Sequence, residues 1–275
     1  MRIAINFYLT WQCNFRCDHC LHSAGPYGKH MTKDEIAYGM KFIKWLKTQN
    51  SAPSVIGLSG GEPTLNPYLW TDVVPSLEEI KMLFTGVNVE IHTNGSRPVP
   101  EAMQKKYHKF FWNAIIGHDM FHRQFRKINQ LFLNDYSEIA SSVILRSNKA
   151  MLRGYGAEFP IVVVNMKGRG ADILKNDKYQ EVYVKGFPHT LCQWHQSGEI
   201  TVVNFLPGLI GHCGEKSHPL PDGSDKDNFS YYNDSFETVL KNALQYQLTQ
   251  CNTNCSQKCI STCIALKKDV PCIPA

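Results

Sequence analysis

The residues best suited to chemistry stand near the start of the chain: Cys13, Cys17 and Cys20, spaced CxxxCxxC, with Arg16, Asp18 and His19 among them and no further cysteine before Cys192. Iron–sulfur cubanes ordinarily take four thiolates. A close trio whose nearest fourth thiol is remote in sequence therefore suits a cluster with one iron left open to a cofactor or substrate. Cysteines in short spacings also make zinc sites, which are the alternative for the trio.

Other groups recur at loop-like positions. Ser59-Gly60-Gly61-Glu62-Pro63-Thr64-Leu65 carries two glycines that let backbone approach a ligand closely, leaving carbonyls to accept from an ammonium group. His92-Thr93-Asn94-Gly95-Ser96 is a second polar turn. Gly117-His118-Asp119-Met120-Phe121-His122-Arg123 is a third, where Asp119, His118 and His122 are candidates for binding a polar substrate or moving a proton. Asp119 would equally serve as a helix N-cap. Seven cysteines close the chain: Cys192, Cys213, Cys251, Cys255, Cys259, Cys263 and Cys272.

The elements that must position these groups alternate. Apolar, strand-like runs fall at 3–10, 54–58, 87–92, 112–117, 139–146 and 161–166, with helical patterns at 68–84, 101–110 and 121–133 between them. The first crossover helix opens at Thr32 with Glu35 three residues on, a capping box, and Ile36, Met40, Ile43 and Leu46 share its apolar face. Strands separated by helices imply parallel βα units. A full eight-unit barrel takes about 250 residues, so the βα pattern over 1–170 predicts an α/β fold with a partial, six-unit (β/α)6 barrel. Residues 171–275 are expected to form a small, irregular, cysteine-rich domain. Loops at the C-terminal ends of parallel strands carry function in such sheets, and all three polar turns fall there.

With CxxxCxxC, the Gly-Gly-Glu-Pro loop and this barrel pattern, the chain resembles the radical S-adenosylmethionine (radical SAM) enzymes. The resemblance implies a [4Fe–4S] cluster on Cys13, Cys17 and Cys20 whose open iron is chelated by SAM, and cleavage of SAM to a 5'-deoxyadenosyl radical that abstracts hydrogen. It also implies SAM contacts from Gly60, Gly61, Glu62 and Pro63, from Thr93 and Asn94, and from Ser142, Arg146 and Arg153 on or after the fifth strand. The C-terminal cysteines, with Gly208-x4-Cys213, resemble the SPASM extension of that family, which binds auxiliary iron–sulfur clusters. Here the quartet reads CxxxCxxxCxxxC where the family has CxxCx5CxxxC, so the ligand assignment stays open. By order in the family pattern, Cys192, Cys213 and Cys263 would hold an inner cluster, with substrate, His195 or His212 as fourth ligand. Cys251, Cys255, Cys259 and Cys272 would hold an outer one. As one helix, 251–263 would spread its cysteines over about 18 Å, too far for a single cubane. A single auxiliary cluster or a zinc site is the alternative there.

The resemblance leaves the substrate open. Oxidative modification or crosslinking of a ribosomal peptide or protein is expected first; with the barrel pattern starting at residue 1, a separate leader-binding protein would be its partner. Epimerisation or dehydrogenation of a carbohydrate or aminoglycoside-type natural product is the second reading, and a non-catalytic iron–sulfur or zinc scaffold the third. A flavodoxin or ferredoxin would supply the electron.

Composition narrows the classes further. The net charge of +5 is scattered along the 275 residues rather than gathered into a basic run, so nucleic acid is not indicated. No run approaches the roughly 18 apolar residues of a membrane span, and the short apolar start contains Asn6 and leads into the trio, unlike an export signal. A cytoplasmic protein with reduced thiols is expected.

Overall fold

In the computed structural model the described residues are 2–17, 20, 23–117, 125–148, 161–162, 200–212 and 229–246. Strands β1 (Arg2–Thr10), β2 (Ala52–Gly60), β3 (Asn88–Thr93), β4 (Phe111–Gly117), β5 (Ala140–Asn148) and β6 (Ile161–Val162) alternate with helices α1 (Lys33–Leu46), α2 (Val74–Leu83), α3 (Glu101–Lys106) and α4 (Phe125–Ile139). Consecutive strands pair in parallel from β1 to β6. This is the α/β partial-barrel pattern expected from the sequence.

The strand alternation sorts residues between two faces. Ile3, Ile5, Phe7 and Leu9 of β1, fully buried, join Ile56, Leu58, Val89, Ile91 and Phe111 in one core beneath the helices. Helix α1 closes that core with Ile36, Met40, Ile43 and Leu46, all buried, and its capping box forms as the sequence predicts: Thr32 Oγ1 accepts from Glu35 N while Glu35 Oε2 accepts from Thr32 N. Before α2 the chain makes a π-helical turn at Leu69–Val73, ahead of Pro75, which has no N–H to continue an α-helical ladder. Helix α3 ends at Lys106, short of the expected 110, since Lys109 takes φ 52, outside the helical region. Helix α4 runs to Ile139, six residues past its expected end, and meets β5 directly.

The sheet continues on the other side of β1. Strand β7 (Ile200–Leu206) pairs in parallel with β1, then β8 (Leu209–Gly211) and β9 (Phe229–Ser230) add antiparallel edges, giving the order β6-β5-β4-β3-β2-β1-β7-β8-β9. Helix α5 (Phe236–Tyr246) follows. Residues 200–211 thus extend the barrel sheet, where the sequence reading placed them in the cysteine-rich region. Val203 and Phe205 enter the main core, with Phe205 stacked on Phe7 at 5.0 Å between ring centroids. Among the described residues no helix is long and apolar enough to cross a membrane.

Candidate metal centre

The cysteine loop is a closed excursion from the end of β1. Its two sides are stapled by backbone hydrogen bonds: Met31 N to Leu9 O (2.8 Å), Trp11 N to Lys29 O (2.7 Å) and Cys13 N to Gly25 O (2.8 Å). Cys13 and Cys17 are buried and Cys20 partly so, and they pack with Phe15 and Ala24 in a small cluster of their own. Two sulfurs face N–H donors: Phe15 N to Cys13 Sγ and Ala24 N to Cys20 Sγ, both 3.3 Å. Burial pushes the Cys13 thiol up to about 11, with smaller contributions from Glu62 and Cys20, against the donors Phe15 and Asn94. A buried thiol so placed becomes a thiolate readily only beside a positive centre.

The donor set, three thiols packed together on one loop, fits an iron–sulfur cluster. Among the described residues no three Cys, His, Asp or Glu side chains come close enough to hold a single metal ion. A cubane, whose irons stand apart, spreads its thiolate ligands wider. Three thiols on one loop, two of them buried and two facing N–H donors, suit such a ligand set.

The Gly60-Gly61-Glu62 turn is built against this loop. Gly61 N donates to Thr10 O (2.6 Å) and Glu62 N to Gln12 O (2.8 Å), so the end of β2 follows the chain into the cysteine loop. Gly60 has φ 132, and a Cβ on it would lie 2.3 Å from Thr10 O. A Cβ on Gly61 would lie 2.2 Å from Gln12 O and 3.1 Å from Ala24 Cβ. Both glycines are therefore demanded by the chain's own approach, a constraint that the expectation of a close-approaching ligand did not include.

Glu62 points inward with no exposed surface. Its Oε1 accepts from Thr64 N (3.1 Å), Thr64 Oγ1 (2.6 Å) and Thr93 Oγ1 (2.9 Å), and its Oε2 from Thr93 Oγ1 (2.9 Å) and Asn94 N (2.8 Å). Burial raises its pKa above the ordinary carboxylate value, opposed by the bonds from Thr64, Asn94 and Thr93. Pro63 begins a short 3-10 turn behind it. Tyr136 of α4, which the sequence reading missed, sits 3.2 Å from Thr93 Oγ1 and donates to Arg97 O at 3.3 Å. The β2 and β3 loops are thus one unit, and Asn94 joins them to the first: its Nδ2 donates to Asn14 Oδ1 at 2.9 Å and lies 3.7 Å from Cys13 Sγ.

The remaining candidates are distributed differently. Arg146 pairs with Gly117, the last residue of β4, at the level of the C-terminal edge. Ser142 pairs with Asn113, four positions lower than Arg146, which is about 13 Å along a strand, so it is not brought to the loop cluster. His118, Asp119, His122, Arg153, His195, Cys192, Cys213 and the cysteines 251–272 lie outside the described residues. His212 is buried, its Nε2 3.0 Å from Ser230 Oγ.

Below the loops the barrel interior carries a polar row across the strands. Asn204, Asn6, Gly57, Glu90, Asn113 and Ser142 are neighbours in register. Asn6 Nδ2 donates to Asn204 Oδ1 and Asn113 Nδ2 to Glu90 Oε1, both at 2.8 Å, and His92 Nε2 is 3.6 Å from Glu90 Oε2. Asn204 Nδ2 is buried without a hydrogen-bond partner. In sequence the row shows as an asparagine set among apolar neighbours in β1, β4 and β7, namely Asn6, Asn113 and Asn204.

Residues 8–127 match the model of the radical SAM superfamily. The GTP 3',8-cyclase of Photorhabdus laumondii subsp. laumondii is 30% identical over 157 residues, 51% of this chain and 45% of that protein. The mycofactocin maturase MftC of Mycobacterium tuberculosis is 26% identical over 195 residues, 62% of this chain and 47% of that protein. The match spans about half the length of these curated relatives. Among solved structures, anSMEcpe with bound AdoMet superimposes with a TM-score of 0.54 at 14% identity, over 89% of this chain and 80% of that one, a likeness of fold. The family match runs from the end of the first strand and the cysteine loop to β4 of a parallel sheet and agrees with the loop geometry: residues 8–127 of this chain are a radical SAM superfamily segment.

Proposed function

We propose that this protein uses a [4Fe–4S] cluster on Cys13, Cys17 and Cys20 to cleave SAM and begin hydrogen abstraction from a substrate carbon. The observation that supports it most is the trio itself: three thiols on one screened loop, at the C-terminal ends of parallel strands, with the β2 and β3 loops hydrogen-bonded onto it. When bound, the cluster and SAM supply the one-electron cleavage that yields a 5'-deoxyadenosyl radical. The chain's own residues do the rest. Glu62 holds the β2 and β3 loops at a common distance, Asn14 and Asn94 tie them to Cys13, and Phe15 and Ala24 exclude water from the sulfurs.

For the substrate, a ribosomal peptide or protein modified oxidatively is our first reading, supported by the similarity to a protein named as a maturase. A separate leader-binding protein and a flavodoxin or ferredoxin as electron donor go with it. We take 1–170, with residues 200–211 that extend its sheet, as the barrel domain, and the remainder of 171–275 as a SPASM-like region whose seven cysteines hold one or two auxiliary [4Fe–4S] clusters. A small polar natural product, epimerised or dehydrogenated, is the second reading, and the polar row of Asn6, Glu90, Asn113 and Asn204 favours it, because groups of that kind reward hydroxyl and amine partners. Asp119, His118 and His122 would serve either substrate.

Anaerobic reconstitution with iron and sulfide, reduction with dithionite and addition of SAM tests the proposal. Formation of 5'-deoxyadenosine and methionine is expected. A reconstituted, reducible protein that leaves SAM intact would be a scaffold instead.

A further inference from the structure

Asn14, Asn94 and Ser96 form a closed ring of hydrogen bonds beside Cys13. Asn94 Oδ1 accepts from Ser96 N (2.9 Å), Asn14 Nδ2 donates to Ser96 Oγ (2.7 Å), and Asn94 Nδ2 donates to Asn14 Oδ1 (2.9 Å). The ring fixes which way the Asn94 amide faces, since its oxygen is needed by a backbone N–H and its nitrogen by a carbonyl oxygen. The backbone of Asn94 is held from the other side by Glu62 at 2.8 Å. One N–H of the amide remains, and it faces Cys13 Sγ, with nitrogen and sulfur 3.7 Å apart. Asn94 is 6% exposed and Cys13 is 7% exposed, so water competes little for this contact.

We propose that Asn94 is a positioning residue that raises the reduction potential of the N-terminal cluster through its amide donation to Cys13 Sγ. The proposal rests on the reading that the trio holds a cluster. Added electron density on a cluster falls partly on its sulfurs, so a donor fixed there stabilises the reduced form more than the oxidised one, and more strongly in a screened site. Cys13 then has two donors, Phe15 N and the Asn94 amide. The Glu62 network gains a purpose beyond stability, since it fixes the backbone from which the amide is aimed.

A redox titration of the reconstituted protein, followed by electron paramagnetic resonance, tests this. The N-terminal signal is identified as the one that Cys17→Ala removes. Asn94→Ala, which deletes the donor, is expected to shift the midpoint of that signal to lower potential. Asn94→Asp, nearly isosteric and able to keep the Ser96 bond, places a carboxylate by the sulfur and is expected to shift it further, and it carries the test if the alanine variant fails to assemble. An unchanged midpoint in Asn94→Asp with full iron content would overturn the proposal. Absence of any signal removed by Cys17→Ala would overturn the cluster reading itself, and this proposal with it.

Discussion

The Glu62 carboxylate accepts the backbone N–H of Asn94 at 2.8 Å, joining two loops 32 residues apart in sequence. A carboxylate is acceptor-only, and all its partners here are donors. Glu62→Gln sets an N–H2 against at least one of those N–H or O–H groups. The variant is expected to lose about 1–3 kcal/mol of stability, in line with an unsatisfied buried hydrogen-bonding group, read as a lower midpoint in urea unfolding. A variant as stable as the parent would show that these bonds do not hold the loops.

Gly61 faces the cysteine loop at closer range than any side chain permits. Gly61→Ala is expected to displace the Gln12 backbone and lower the iron retained by the N-terminal site, because its Cβ would stand 2.2 Å from Gln12 O. Gly25→Ala, in the same loop with nothing within 4 Å of its Cβ, should keep its iron. Equal iron in both variants, measured colorimetrically after reconstitution, would refute this account of the glycine.

Glu35 spans two elements. One oxygen closes the capping box on Thr32, and the other accepts from Gly208 N at 2.8 Å, in the turn between β7 and β8. Thr32→Ala is expected to cost about 1 kcal/mol as a lost cap. Glu35→Ala should cost more and raise amide exchange in residues 206–209, a local effect that Thr32→Ala lacks. Identical exchange in the two variants would remove the second role.

Much of this was legible beforehand for physical reasons. Alternating apolar runs and the Thr32–Glu35 box are local signals, and the strands and α1 formed where they pointed. The cysteine trio was legible because its three members are close in sequence. Strand β7 was not, because its place beside β1 depends on pairing across nearly two hundred residues of chain, and the sequence after residue 166 that leads up to it shows no βα rhythm. The polar ring of Asn14, Asn94 and Ser96 was hidden likewise: it joins residues about eighty positions apart, and no spacing rule connects them.

On the proposed function, the thiol count sets the expected fate of the substrate radical. Two auxiliary clusters would occupy the seven C-terminal cysteines, leaving electron loss as the simplest exit, so turnover in deuterated water is expected to give a product that has lost hydrogen. A product of unchanged composition that carries solvent deuterium on carbon would point instead to a cysteine hydrogen donor and epimerisation, to be located by single Cys→Ala changes.

The most direct measurement takes one variant, Cys13→Ala/Cys17→Ala/Cys20→Ala, through anaerobic reconstitution and reads iron, sulfide and 5'-deoxyadenosine together. With an independent N-terminal cluster and two auxiliary ones, it should retain about eight irons per chain and form no 5'-deoxyadenosine from SAM. SAM cleavage that persists in this variant would contradict the account, and loss of all iron and sulfide would show that the two cysteine groups share one cluster.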